Sequence, residues 1–459
     1  MNRVVIGILL FGAVILLAPL LREGIQGPAG SESYYHLRMA QTLLHGPIPQ
    51  TDPALITGAS YHLNPLHVIL IPFIYLFGPT FGLLAITFLC GLLTIVAAIL
   101  LARRWTTLSF ILPLLLILSP LFISTFSSVS TAVIATPLFL WAIVLLIHPR
   151  FYVLALPLLG ILSLLSTVHC IASIIAALAI GYYQKARTKY LLVISMSIPI
   201  LIYHVSILYT QTTYSQNGLL DRFFFDFGSP TGFSILFLLL ASMGVYFFWE
   251  HKRTYYALVP LLIGTIIYSI IDVNAVMYAN LIVVFLASIA IERMAIREWN
   301  IRILQGILLT IIFVSLFSST VSAVTQNIQQ PPSADLQTAL QWMAENLTPN
   351  PVTFSHYSYG YYLETVAHQK AVLDPGLERI TRSHEVYLDT LELFHTYDKQ
   401  ELARLIHKYH IRYILITADM EESLVWEKPG RGLSYTANNF ETFNKVYSSD
   451  GISIFEVIQ

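Results

Sequence analysis

Residues 29–44 read AGSESYYHLRMAQTLL and follow closely on the apolar run MNRVVIGILLFGAVILLAPLL that opens the chain. That run holds roughly 18 apolar residues, enough to cross a bilayer and more than a secretory signal uses, and no small-x-small cleavage pattern follows it. It is read as a retained first span. The polar stretch then stands just outside the membrane, with a carboxylate at Glu32, rings at Tyr34, Tyr35 and His36, and a cation at Arg38. Charge in such a place needs a chemical reason.

The rest of the composition agrees with a membrane setting. Of 459 residues 56% are hydrophobic and 11% charged, with mean hydropathy +0.68, whereas soluble domains carry roughly 25% charged residues. The net charge of −1 carries no information about partners, because in such a chain charges matter by position. Cys90 and Cys170 both lie in apolar runs and suit small buried hydrophobes, so neither a disulfide framework nor a metal spacing follows from them.

Apolar runs at 3–21, 80–102, 107–124, 128–147, 151–166, 168–183, 189–209, 231–249, 255–271, 275–292 and 302–323 predict about eleven spans. The segment NPLHVILIPFIYLFG at 64–78 is short and opened by a proline, which suits a helix lying in the interface. With the N-terminus in the cytoplasm, the inner loops collect Arg103, Arg104, Arg150, Lys185, Arg187, Lys189, Lys252, Arg253, Arg293, Arg297 and Arg302. The outer loops hold few cations, among them Arg22, Arg38 and Arg222, so the positive-inside rule is met and the C-terminus falls outside.

From residue 324 the composition becomes that of a soluble domain. QNIQQPPSAD at 326–335 reads as a linker, and Ser333 is placed to cap a helix through 347 that carries Leu336, Leu340, Met343 and Leu347 at helical spacing. A strand PVTF, a helix near 360–368, a strand KAVLD, helices across 378–394 and 398–409, and a strand RYILIT follow. Strands alternating with helices predict a small α/β unit with parallel pairing, closed by a hairpin turning at Asp450-Gly451. The expected organisation is a membrane domain over 1–323, with a first outer loop over 22–79, and an extracytoplasmic α/β domain over 324–459.

This topology gathers Glu32, Asp52, Asp221, Asp226 and Asp272 near the outer surface. Carboxylates on one face hold a divalent cation through hard oxygen ligands or serve as a general base. Three stretches then make the reading more specific: the first outer loop with Glu32, Tyr34-Tyr35-His36 and Arg38, then GPIPQTDP and Tyr61-His62-x-x-Pro65; TFSHYSYGYYLETVAHQKAVLDPG at 353–376; and ELARLIHKYHIRYILIT at 401–417. Together they resemble the catalytic subunit of oligosaccharyltransferases, which belongs to the C-type membrane glycosyltransferases (GT-C).

The resemblance implies a GT-C-like helical bundle and transfer of a sugar or oligosaccharide from a polyprenyl-phosphate or pyrophosphate donor. Glu32 stands where the family has a catalytic, metal-binding Asp, with Asp226 as a second metal ligand for Mn²⁺ or Mg²⁺. His36, Arg38, Tyr35 and Asp52 form the expected donor phosphate or loop site. His356, Tyr357, Ser358, Tyr359 and Gly360 occupy the acceptor-side WWDYG position and keep its Tyr-Gly pair. The stretch SPLFISTFSSVSTAV at 119–133 replaces the family's DxD-like loop and has no carboxylate. The acceptor is accordingly left open between protein asparagine and a glycan or lipid, and the expected partners are the bilayer, the lipid-linked donor and that acceptor, without nucleic acid. A catalytically degenerate relative that binds lipid-linked glycan or a partner subunit is the alternative.

Overall fold

The computed structural model describes residues 3–20, 29–61, 63–148, 150–183, 198, 200–202, 232–249, 258–269, 275–330, 332–380, 382–428, 430–449 and 451–458. Asp221, Asp226 and Asp272 lie outside the described residues, as does most of the expected span at 189–209.

Thirteen described helices precede the C-terminal unit: α1 (Arg3–Leu17), α2 (Ser31–His45), α3 (Pro65–Phe77), α4 (Pro79–Trp105), α5 (Ile111–Leu118), α6 (Pro120–Ser127), α7 (Thr131–Ile147), α8 (Ala155–Leu165), α9 (Thr167–Tyr183), α10 (Ile235–Trp249), α11 (Leu258–Ser269), α12 (Ala275–Ile296) and α13 (Arg302–Gln329). The apolar runs that fall on described residues become helices. Among the described residues three helices are long and apolar enough to cross a membrane, and the pair α6 and α7, bent by 119°, makes a fourth if it counts as one span. The run at 107–124 is divided at Ser119-Pro120, where proline withholds an N–H and opens a new helix. The expected interfacial segment is a helix of its own, α3, started by Asn64, whose side chain accepts from Leu66 N at 2.9 Å, and by Pro65 at its first position.

A shared apolar core runs through these helices and includes Leu16, Ile95, Leu115, Ile117, Val133, Val283 and Leu316. The long α13 keeps one side on it through Ile312, Leu316 and Ala323 and exposes Leu304, Ile307, Ile311, Val314 and Phe317 on the other, a surface of the kind that lipid covers. Two pairs of polar groups meet inside the bundle: His169 Nδ1 lies 2.8 Å from the Tyr278 hydroxyl, and Ser119 Oγ donates to Asn280 Oδ1 at 2.9 Å.

The C-terminal unit comprises α14 (Ala334–Asn346), β1 (Val352–Phe354), α15 (Gly360–Thr365), β2 (Lys370–Ala371), α16 (Ser383–His395), α17 (Lys399–Lys408), β3 (Ile411–Ile416), α18 (Gly432–Asn439), β4 (Phe443–Ser449) and β5 (Ile452–Val457). Ser333 caps α14 as its sequence predicts, accepting from Leu336 N at 3.2 Å. The five strands form one mixed sheet in the order β2-β1-β3-β5-β4. β1 runs parallel to β2 and β3, with Phe354 opposite Ile414, and β5 runs antiparallel to β3 and β4, with Ile414 opposite Phe455. Phe354, Ile414, Leu415, Ile454 and Phe455 fill its core together with Leu340, Met343 and Leu405. The strand expected over KAVLD is limited to Lys370–Ala371, and α18 has no counterpart in the sequence reading.

The edge strand β2 is not left bare. The first loop runs beside it: Ile56 N donates to Ala371 O at 3.2 Å and Ala371 N to Ala54 O at 3.0 Å, while Ser60 N donates to Arg379 O at 3.1 Å. A paired edge resists adventitious strand addition, and here the pairing also fixes the first loop on the C-terminal sheet.

Gly244 sets how closely α10 meets α12. A Cβ there would lie 2.1 Å from the Leu286 carbonyl oxygen, a backbone atom that cannot turn aside. Close helix approach over small residues is how apolar bundles gain contact without a hydrophobic driving force. Gly244→Val is therefore expected to lower the thermal midpoint of the purified protein in detergent, by roughly the 1–3 kcal/mol that overpacking costs, whereas Gly264→Val, where a Cβ meets nothing within 4 Å, leaves it near wild type.

Candidate active site between the first loop and the C-terminal domain

The stretch that opens this account, helix α2, docks on the short helix α15. Tyr34 meets Tyr362 edge to face at 4.9 Å between centroids, Tyr35 stacks on Tyr361 at 5.1 Å with a 30° tilt, and Arg38 reaches Glu364. The sequence YYHLR of α2 is thus matched by YYLE of α15. Thr365 Oγ1 adds a hydrogen bond to Tyr34 O at 3.0 Å. Gly360 lets the backbone at 373–374 lie against the start of α15, because a Cβ there would lie 2.5 Å from Leu373 O.

Arg38 is the ionic centre of this junction. Its Nη1 and Nη2 donate to the two carboxylate oxygens of Asp52 at 2.5 and 2.7 Å, and Nη2 donates also to Glu364 Oε2 at 2.7 Å. Nearby, Arg379 donates to Asp374 Oδ2 at 3.0 Å and to the Tyr361 hydroxyl at 2.7 Å, and its guanidinium lies 4.0 Å over the Tyr35 ring. Two guanidinium charges thus face three buried carboxyls. Burial raises the Glu364 carboxyl well above its usual range although Arg38 opposes the shift, and burial pushes Asp374 up to about 6 against the pull of Arg379. Burial acts on Asp52 too, but its hydrogen bonds and charge attraction to Arg38 prevail and hold it below the usual range. A proton on Glu364 balances the cluster, and its Oε1 has no hydrogen-bond partner.

Asp52, Glu364 and Asp374 place one carboxyl oxygen each within 4.8 Å of one another, a spacing that suits a cation. The donor set does not fit one. Asp52 is taken by Arg38 and by Ala54 N, Asp374 by Gly376 N and Arg379, and Glu364 Oε2 by Arg38. A divalent ion here would lose most of its oxygens to guanidinium groups and stand beside their charges.

On the other face of α2 a second row of side chains begins. Glu32 Oε1 is 3.4 Å from His36 Nε2, His36 Nδ1 is 2.9 Å from His67 Nε2, and His67 Nδ1 is 2.9 Å from the Tyr61 hydroxyl. His36, His67 and Tyr61 are buried. The Glu32 side chain is 56% exposed, whereas those of Asp52, Glu364 and Asp374 are 0% exposed. The turn between α6 and α7 packs against the same end of α2, with Val129 N donating to Ser33 Oγ at 2.7 Å. It brings the hydroxyls of 127, 128 and 130 to that end and no carboxylate, so among the described residues Glu32 belongs to no group of three metal-ligating side chains.

The residues named for the acceptor side lie in the turn entering α15. His356 and Ser358 bond to each other at 2.7 Å, and His356 is held neutral because burial lowers its pKa to about 4. Tyr357 is half-buried, and the Tyr359 hydroxyl donates to Asp419 Oδ2 and accepts from Thr417 Oγ1, both at 3.1 Å. Of the residues expected at the donor site, His36 meets the expected catalytic Glu32, Tyr35 stacks on Tyr361, and Arg38 and Asp52 bind each other. The sequence reading did not name Tyr61, His67, Tyr361, Glu364, Asp374 or Arg379 as site residues. Its one available signal was the complementarity of YYHLR with YYLE.

Removing one partner of a buried charge cluster costs about 3–5 kcal/mol, because the remaining charge stays unpaired. Arg38→Met is expected to lower the unfolding free energy by an amount of this order, while Glu364→Gln, which replaces a protonated acid by a neutral amide, changes it by less than about 1 kcal/mol; chelation leaves the midpoint of both and of wild type unmoved. Asp374 supplies a pH signature. Its folded pKa is raised from 3.8 to about 6, so its contribution to stability is full below 3.8 and is lost as the pH rises through about 6. The thermal advantage of wild type over Asp374→Asn accordingly shrinks across that window.

No protein-family model and no curated protein matches the chain. Solved structures do. The apo oligosaccharyltransferase of Archaeoglobus fulgidus superposes with a TM-score of 0.67 at 14% identity over 96% of this chain and 73% of that one. ArnT from Cupriavidus metallidurans, bound to undecaprenyl phosphate, gives 0.56 at 12% identity over 97% of both chains. The mycobacterial arabinofuranosyltransferase AftD gives 0.56 at 14% identity, covering 99% of this chain and 42% of its own. At such identities the likeness is one of fold, and the chain has the fold of the GT-C membrane glycosyltransferases, as its divergent oligosaccharyltransferase-like loops lead one to expect.

Proposed function

We propose that this protein is a membrane glycosyltransferase that moves a sugar or oligosaccharide from a polyprenyl-phosphate or pyrophosphate donor to a glycan or protein acceptor at the extracytoplasmic face. Glu32 is its catalytic carboxylate. The observation that carries this reading is the division of carboxyls around α2: Asp52, Glu364 and Asp374 are buried and bound by arginines, and Glu32 is exposed at the first turn. Among neighbours of the same fold, the A. fulgidus enzyme AglB has been solved with an inhibitory peptide and a dolichol-phosphate, and ArnT with undecaprenyl phosphate. Their ligands support a lipid-phosphate donor here.

The chemistry assigned to Glu32 is that of a general base. Its carboxylate takes the proton of an acceptor hydroxyl or amide as that heteroatom bonds to the anomeric carbon. The bond from that carbon to the lipid phosphate oxygen breaks, and the phosphate leaves with the electron pair. The residues described around Glu32 supply one carboxylate where hard-oxygen cation sites use several. The turn entering α15, with His356, Tyr357 and Ser358 in place of two tryptophans and an aspartate, favours an acceptor other than an Asn-x-Ser/Thr peptide. The same replacements, with the carboxylate-free turn at 127–130, are what favours the second reading, a non-catalytic relative that binds lipid-linked glycan.

Reconstituted membranes given a panel of radiolabelled polyprenyl-linked sugars, with and without Mn²⁺ or Mg²⁺, separate the two readings. Wild type is expected to transfer label, and Glu32→Gln to lose about 10²-fold or more of the rate, as loss of a general base does. Donor binding without transfer, unchanged in Glu32→Gln, would contradict the enzymatic reading and establish the binding one.

A further inference from the structure

The row Glu32, His36, His67, Tyr61 has a direction, and its exposed end sets it. As a carboxylate, Glu32 accepts and does not donate, so the proton between it and His36 belongs to His36 Nε2. With one N–H on each ring, His36 Nδ1 accepts, and the proton between the two rings belongs to His67 Nε2. By the same count His67 Nδ1 accepts from the Tyr61 hydroxyl. Each ring nitrogen has one partner, and no member of the row can reverse alone without breaking a buried bond.

The surroundings keep His67 neutral. Burial holds the His67 imidazole well below its usual range, and His36, Arg379 and Arg38 add to the effect. Tyr35 packs edge-on to His67 at 5.6 Å while lying beneath Arg379, which fixes the ring plane. The docking of α2 on α15 runs through Tyr34, Tyr35 and Arg38, so adhesion between the two does not call for paired imidazoles on the far side.

We propose that His36, His67 and Tyr61 form a positioning relay for Glu32, fixing His36 as the Nε2–H tautomer so that it holds Oε1 and leaves Oε2 to the acceptor. The proposal rests on the glycosyltransferase reading for its consequence in catalysis and on geometry alone for its tautomers. None of the three residues touches substrate; each acts through the next, as orienting groups behind a catalytic base do.

Two readouts test it. In solution, ¹⁵N-histidine spectra of the intact protein in detergent are expected to show His36 and His67 with the proton on Nε2, and His36→Leu, which removes the acceptor of His67 Nε2–H, is expected to release His67 into a mixture of tautomers. A proton on Nδ1 of His36, or a wild-type ring already in mixed tautomers, overturns the relay. In the transfer assay, His67→Leu is expected to lower kcat by about 10- to 100-fold with the donor KM unchanged, and His67→Gln, whose amide N–H stands where Nε2–H stood, restores most of it. Equal losses in Leu and Gln, or a loss confined to KM, mean a structural role and contradict the proposal. If wild type transfers no sugar, the glycosyltransferase reading fails, and the ring tautomers decide the relay by themselves.

Discussion

One guanidinium holds the two parts of this site together. Arg38 sits on a helix that directly follows the first apolar segment, Asp52 on the loop after it, and Glu364 lies 326 residues further along the chain. Burying such charges is costly, and the gain comes from the bidentate geometry at Asp52 and the shared bond to Glu364. The pairing of Tyr34 with Tyr362 and of Tyr35 with Tyr361 follows from the same approach, as does the run of first-loop backbone along the edge of β2. With that ion pair in place, the loop has one position on the domain.

The consequence for chemistry is a division of labour among acids that look alike in sequence. Asp52 and Asp374 spend their charge on Arg38 and Arg379, and Glu364 accepts a further hydrogen bond from Arg38. Glu32 is left exposed with a histidine behind it. A nominally acidic pocket is thus closed to a cation by its own arginines, while the isolated carboxylate at the helix start keeps a free oxygen. Burial and partner count separate the three arginine-bound acids from the exposed one.

How far the sequence carries this picture depends on the distance over which each interaction acts. Local patterns were legible: Ser333 as a cap, the strand at 411–416, the hairpin turning between 449 and 452, and the separate helix at 65–77. Span counting from apolar runs was less so, because Ser119-Pro120 divides the run at 107–124 into two short helices. Glu32 with His36 could be named because both lie on one helical face four residues apart. His67, Tyr61, Glu364 and Asp374 enter through tertiary folding, and a single sequence carries no periodic trace of that. The partnership of Arg38 with Glu364 was hidden for the same reason, Glu364 being invisible from position 38.

The central claim is that the exposed first turn of α2 faces the lipid-linked donor. A photoreactive amino acid placed at position 32, illuminated in membranes supplied with radiolabelled polyprenyl-phosphate sugar, tests it directly. The account predicts a labelled adduct at 32 that unlabelled donor competes away, and none at position 103 on the far end of α4. Equal labelling at both positions, or none at 32 in protein that binds donor, would contradict it.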